Sequence, residues 1–185
     1  MVELDLAGPG FEPTPPPDGY QVRTYVGGVP EALRAQVGVI KGMVDAEAPS
    51  GDLAWQATPV SVEAYDAEIR LWREQGMTPV EFVALDPGGT VVAWTCLVGA
   101  PDPQRPAHVE GTLVLEQHRG HRLGAAVKSA SLLAARAHTR AARVRTSSDD
   151  DNVWMRATNA RLGFVPVESE VVLHKQRPGG SAGRR

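Results

Sequence analysis

Cysteine is almost absent: Cys96 is the single one in 185 residues. That excludes a disulfide framework and a cysteine-ligated zinc site. Its neighbours VVAWTCLVG read as a strand, so its thiol is expected to be buried and inert. No apolar run approaches the roughly 18 residues of a membrane span. The start, MVELDLAGPG, has no basic region followed by an apolar core, so a cleaved leader is not expected. A cytoplasmic protein is the resulting expectation. A large excess of either charge is missing too. The formal net charge of -3 argues against a binder of nucleic acid or anionic membrane that works by bulk electrostatics. It leaves room for a local basic cluster. No repeat of fixed period is visible.

What is present is ordinary for one folded domain: 42% hydrophobic and 22% charged residues. Five prolines and three glycines crowd into Gly8 to Gly19, so residues 1–19 read as an extended Pro/Gly-rich segment. The end, RPGGSAGRR, reads as a flexible tail over 176–185. The domain is therefore expected over 20–175.

Within it the pattern alternates. Tyr20 to Val26 alternates as a strand. Leu33, Val37, Ile40 and Val44 keep helical spacing over Pro30 to Ala46, with Pro30 in the first turn. APSGDLAW is a loop. Thr58-Pro59 reads as a cap for a second helix, which runs to Glu74. Pro79 to Leu85 and Thr90 to Val98 are strands about a DPGG hairpin turn. HVEGTLVLE is a fourth strand and Arg122 to His138 a long helix. ARVRTSS, then Asn152 to Arg161, add a strand and a helix; FVPVESEVVLHK closes with one or two strands. Single strands followed by helices, plus one hairpin, predict an α/β fold with a mixed sheet.

The fourth strand runs into the third helix through HRGHRLGAA, His118 to Ala126. A helix N-terminus leaves backbone N–H groups unpartnered and carries positive dipole character. Glycines let a ligand approach that backbone, and a phosphate fits there. His118, Arg119, His121 and Arg122 reinforce an anionic ligand. The turn lacks the Gly-Lys-Ser/Thr ending of a Walker loop and the Gly-x-Gly-x-x-Gly of a dinucleotide fingerprint. The run SSDDDN lacks the glycine and distal glutamate of a calcium loop, so no metal is expected.

The wider stretch VEGTLVLEQHRGHRLGAAV resembles motif A of the GNAT superfamily of N-acetyltransferases: a strand, Q/R-x-x-G-x-G/A, then a helix. NVWMRATNARLGF, Asn152 to Phe164, resembles motif B of the same family. TLV…HRGHRLG together with APSGDLAW is similar to the actinobacterial tandem-GNAT proteins, of which this chain would match one half. The resemblance implies a mixed, mostly antiparallel central sheet flanked by helices. It implies transfer of an acetyl or other acyl group from acyl-CoA to the amine of a small molecule.

On that resemblance the coenzyme lies on Arg119, Gly120, His121, Arg122, Leu123, Gly124 and Ala125. Its pantetheine arm pairs along Leu113, Val114 and Leu115, and Asn152 reaches it from the last helix, where asparagine also serves as an N-cap. The Val114 N–H points at the thioester oxygen. Glu110 is the base that takes the amine proton, expected on the same face as Val114 and opposite to Gly111. His108, Asp52, Trp55 and Asn159 are candidates for the acceptor side.

Two positions depart from the family pattern. Arg122 stands where its first glycine falls, and Asn159 stands where many members carry a tyrosine acid. Two other functions stay open, the first through the missing tyrosine and the second through the basic patch at His118 to Arg122. One is an acyl-CoA-binding module without turnover. The other is a transferase on this fold that takes its acyl group from aminoacyl-tRNA. A membrane partner is not expected, and a homodimer is left open.

Overall fold

The structure, a computed structural model, describes residues 1–8, 11–47 and 56–169. Among these, seven strands form one sheet: β1 (Val2–Asp5), β2 (Gln21–Val26), β3 (Thr78–Leu85), β4 (Val91–Gly99), β5 (Ala107–Val114), β6 (Arg143–Thr146) and β7 (Val165–Pro166). The helices are α1 (Glu31–Glu47), α2 (Val62–Glu74), α3 (Leu123–His138) and α4 (Val153–Arg161). The spatial order of strands is β2-β3-β4-β5-β6-β1-β7. Neighbours are antiparallel except β5 and β6, which run parallel. The sheet is therefore mixed and mostly antiparallel, with helices against it, as the sequence pattern indicates.

Every residue of β4 is buried. That explains its unbroken apolar run, because such a strand is covered on both faces. Trp94, Cys96 and Val98 pack with Val37 and Ile40 of α1 and Tyr65 and Ile69 of α2. Leu97 faces the opposite way, into a core with Leu132 and Ala135 of α3. Cys96 is fully buried, and burial above all pushes its thiol well up from the ordinary range.

Two expectations are corrected. The second helix is capped by Ser61, whose side chain accepts from the Ala64 N–H, and not by Thr58. Thr58 and Val60 instead donate their N–H groups to the Gly42 and Gly38 carbonyls of α1. Those glycines, one turn apart, let the strand-like segment lie directly on the helix. A Cβ on Gly42 would fall 2.0 Å from the Thr58 oxygen, and one on Gly38 2.1 Å from the Val60 oxygen. Gly42→Ala is thus expected to lower stability by roughly 1–3 kcal/mol despite alanine's better helix propensity. Thermal unfolding checks this; an unchanged or higher Tm would contradict the contact.

The second correction concerns the chain start. Val2–Asp5 belongs to the sheet, between β6 and β7, and Leu4 is buried. Arg143 and Arg145 of β6 pair with Glu3. The Arg145 hydrogen bond leads in holding the Glu3 carboxyl below the usual carboxylate range. Residues 11–17, by contrast, form neither helix nor strand. The expected boundary at Lys175, the tail, and any strand beyond Pro166 in EVVLHK lie outside the described residues.

Candidate active site

The site grows from a split in the sheet. β5 and β6 pair only at Ala107–Val144 and His108–Arg145. Past that apex β5 continues to Val114 while β6 ends at Thr146. On its other side β5 stays paired with β4: Leu115 donates to the Val92 carbonyl, in register with Leu113–Trp94 and Val114–Ala93. Antiparallel strands alternate the direction of their backbone groups. Thr112 and Val114 therefore turn N–H and C=O away from β4, toward the side that β6 has left. The result is an exposed length of strand edge inside the sheet, able to pair with an extended ligand.

This edge leads into the turn. A short 3-10 segment, Glu116–His118, precedes Gly120 at φ 82° and Arg122 at φ 60°. Both lie in the left-handed region, where glycine is favoured and arginine is strained. Arg122 sits at the N-cap of α3 with no side-chain cap hydrogen bond. The first N–H groups of α3 thus keep their donor capacity. Around Gly120 a Cβ would meet nothing within 4 Å, so this backbone is open to approach. Leu123 is buried in the core and offers only its backbone. A Cβ on Gly124 would make ordinary contact with Val114 at 3.5 Å.

The strain at Arg122 gives a test of its own. Arg122→Gly is expected to raise stability by about 1 kcal/mol, roughly 2–4 °C in Tm. A lower Tm would mean that the arginine side chain outweighs the strain.

Side chains close around the turn. The Arg119 Nε donates to the Val114 carbonyl at 3.0 Å, and its Nη2 pairs with Glu47 at the end of α1. One arginine thus ties the strand edge to the helix that precedes Asp52 and Trp55; those two residues lie outside the described ones. The Tyr20 hydroxyl and the His118 Nδ1 are 3.0 Å apart, and the Tyr20 ring also stacks obliquely near His121.

Glu110 is placed differently from expectation. β5 carries a bulge there: Gly111 pairs with Cys96 and Val109 with Leu97, leaving Glu110 as the extra residue. A bulge resets the alternation. Val109 and Val114, five residues apart, consequently share the α3 side. Gly111 faces α1, where a Cβ would meet Val44 and Trp94. Glu110 is exposed, and as the extra residue between Val109 and Gly111, which face opposite sides, it is the point where the simple alternation breaks. His108 lies between two residues of the α3-side core, Ala107 and Val109, so it points toward α1. Both stand at the apex of the split.

α4 follows β6 in the chain. The Asn152 side chain accepts from the Met155 N–H at 3.0 Å, so it is the N-cap, with its Nδ2 left over as a donor. Asn159 is 2% exposed, and neither its Oδ1 nor its Nδ2 has a hydrogen-bond partner. It lines a cavity of about 390 Å³ with Ser148, Phe164, Val2 of β1 and Pro166 of β7, at the β1–β7 end of the sheet. Unpartnered buried amides are costly and rare.

Sequence reasoning missed two buried charged side chains. Glu81 of β3 is fully buried and accepts from Tyr65 Oη, Val29 N and Trp94 Nε1. Burial, then the Glu81 charge, pushes the Tyr65 hydroxyl far up. Lys128 of α3 is 1% exposed. The spacing offered no signal for either, since each is buried by elements distant in the chain. Among the described residues no cluster of three His, Cys, Asp or Glu side chains could hold a metal. No described helix is long and apolar enough to cross a membrane.

The strand edge exposed by the split parallel pair and the uncapped helix N-terminus where it ends lie within the stretch that the family comparison matches. The family model for the GNAT acetyltransferases matches residues 50–164, more than half of the chain. The chain belongs to the GNAT acetyltransferase family. Among solved structures it is similar to a tandem GNAT protein from the clavulanic acid biosynthesis pathway, at 25% identity and TM-score 0.65. That match covers 89% of this chain and 49% of the other, so the chain spans about half the length of the tandem GNAT protein. A Trypanosoma brucei acetyltransferase shares 20% identity at TM-score 0.58, covering 84% of this chain and all of that one. An aminoglycoside N-acetyltransferase in complex with CoA shares the GNAT fold at TM-score 0.56 and 14% identity, over 88% and 99% of the two chains. No curated protein sequence matches.

Proposed function

We propose that this chain is an N-acyltransferase that moves an acetyl or other acyl group from acyl-CoA to the amine of a small molecule. The observation that carries the reading is the β5 edge at Thr112 and Val114, which no strand pairs, running into the left-handed turn at Gly120 and Arg122. An extended pantetheine arm suits the edge, and a pyrophosphate suits the turn. Acyl-CoA is a substrate here, consumed in each turnover. The backbone from Arg119 to Ala125 would hold its phosphates, Leu113 to Leu115 its arm, and Asn152 would donate to it from α4.

An ammonium cannot attack a thioester, so a proton must first leave the amine. Glu110, exposed at the bulge beside the apex, takes it directly or through water; His108 stands two residues away. The Val114 N–H, directed into the split, stabilises negative charge on the thioester oxygen as the amine nitrogen bonds to the carbonyl carbon. Removing such a donor typically costs about a hundredfold or more in rate. The C–S bond then breaks and coenzyme A leaves as the thiol. Asp52 and Trp55, between α1 and α2 in the sequence, are assigned to the acceptor side with Asn159.

The test is thiol release from acetyl-CoA across a panel of primary amines. Amine-dependent release is the expected result. Tight acetyl-CoA binding with no release from any amine would favour a binding module. Retention on tRNA without binding of coenzyme A would favour the other acyl donor.

A further inference from the structure

A cavity of about 190 Å³ lies away from the split, between the turn that follows β2 and one face of α2. β3 and β4 separate β2 from β5, so it is distinct from the strand edge and the α3 turn. Three arginines line it: Arg34 of α1 and Arg70 and Arg73 of α2. Asp66 is the one carboxylate that lines it among the described residues. Asp66, Arg70 and Arg73 follow one another by four and three residues, so they share a face of the helix. Arg34 is already committed. Its Nη1 meets Asp66 at 3.1 Å and its Nε donates to the Val29 carbonyl at 3.4 Å. Arg70 and Arg73 form no ion pair among the described residues. The floor is Tyr65, whose hydroxyl accepts from the Val29 N–H and donates to the buried Glu81. Glycine at 28 keeps that floor open, since a Cβ there would fall 3.1 Å from the Tyr65 Oη.

We infer that this cavity binds a dianionic phosphate group. The inference does not rest on the acyl-CoA reading. Asp66 offsets Arg34, which leaves the charges of Arg70 and Arg73 facing the cavity without a counter-charge on its wall. Like charges one helical turn apart repel, and a doubly charged anion between them removes that cost. The guanidinium fork donates two parallel N–H bonds to an oxyanion. A phosphate group offers three oxygens and two charges to the two forks. A carboxylate offers two oxygens and one charge, so one arginine would stay uncompensated. The buried Glu81 does not account for the arginines. Its partners are the neutral Tyr65, Val29 and Trp94 donors, and none of the three arginines bonds to it. The size fits as well. Sites for whole ligands run to roughly 300–1,000 Å³, so this one takes a phosphate headgroup and little of the molecule that carries it.

Inorganic phosphate is the probe, read by thermal unfolding and by calorimetric titration against chloride of equal ionic strength. The α3 turn also suits a phosphate, so the titration is made in Gly124→Glu, whose carboxylate fills that turn. Phosphate is expected to raise the Tm of Gly124→Glu above the chloride control. Adding Arg70→Gln and Arg73→Gln should abolish this shift and weaken the Kd for phosphate tenfold or more. Adding Arg136→Gln instead, at an exposed arginine of α3, should leave both unchanged. The wild type saturated with acetyl-CoA, which covers the same turn, should respond to phosphate as Gly124→Glu does. A shift no larger than that of chloride would overturn the assignment. So would a shift that survives both α2 substitutions. A fall in Tm on substituting the two arginines, in a protein that does not respond to phosphate, would show that they serve the fold alone.

Discussion

Gly124→Glu is expected to abolish the thermal shift produced by acetyl-CoA while leaving the free protein folded. At a hundredfold excess over Kd, a ligand stabilises by about 2.7 kcal/mol, roughly 5–10 °C in a chain of this size. The substitution removes that shift because its carboxylate would occupy the place where the phosphates gather at the α3 N-terminus. The fold itself has reason to tolerate it. A Cβ at this position makes only ordinary contact with Val114. A glutamate in the first turn of a helix is also favoured by the macrodipole. Gly124→Ala is the control and should keep most of the shift. If Gly124→Glu remains folded and acetyl-CoA still stabilises it fully, the phosphates bind elsewhere.

The second large effect concerns Glu110. Glu110→Gln keeps the shape and removes the base, so turnover should fall by roughly a hundredfold or more. The Kd for acetyl-CoA should not change, because the bulge leaves the β5 edge at Thr112 and Val114 intact. The loss should be greatest near neutral pH, where an alkyl amine with a pKa of about 10 is almost wholly protonated. It should shrink as pH rises and free amine accumulates. Steady-state thiol release from pH 6.5 to 9.5, a range of roughly three units about the neutral-to-basic region, measures this. A variant whose profile matches the wild type would show that another group, with His108 the nearest candidate, takes the proton.

Much of this site was legible because its signals are local. The strand, the glycine-containing turn and the helix start from Val109 to Val127 follow from alternation, from Gly120 and Gly124, and from the apolar spacing that begins at Leu123. Asn152 as a cap needed only its own side chain and the helix behind it. The bulge at Glu110 was not legible, because one unpaired residue resets the alternation and no residue type announces it. Val2–Asp5 escaped because four residues carry too little pattern, and the prolines that follow suggest a linker. Its place depends on a free slot beside β6, at the other end of the chain. Lys128 and Glu81 escaped for the same reason. Lys128 is buried by Thr146, Met155 and Phe164, and Glu81 is partnered by Val29, Tyr65 and Trp94.

The central claim is that a strand edge and a turn together hold acyl-CoA. Amide hydrogen exchange with and without acetyl-CoA tests it residue by residue. The expected result is slowed exchange at Thr112 and Val114, whose N–H groups face the split, and from Gly120 to Ala125, with β2 and β3 unchanged. Binding that leaves those amides exchanging as in the free protein would contradict it.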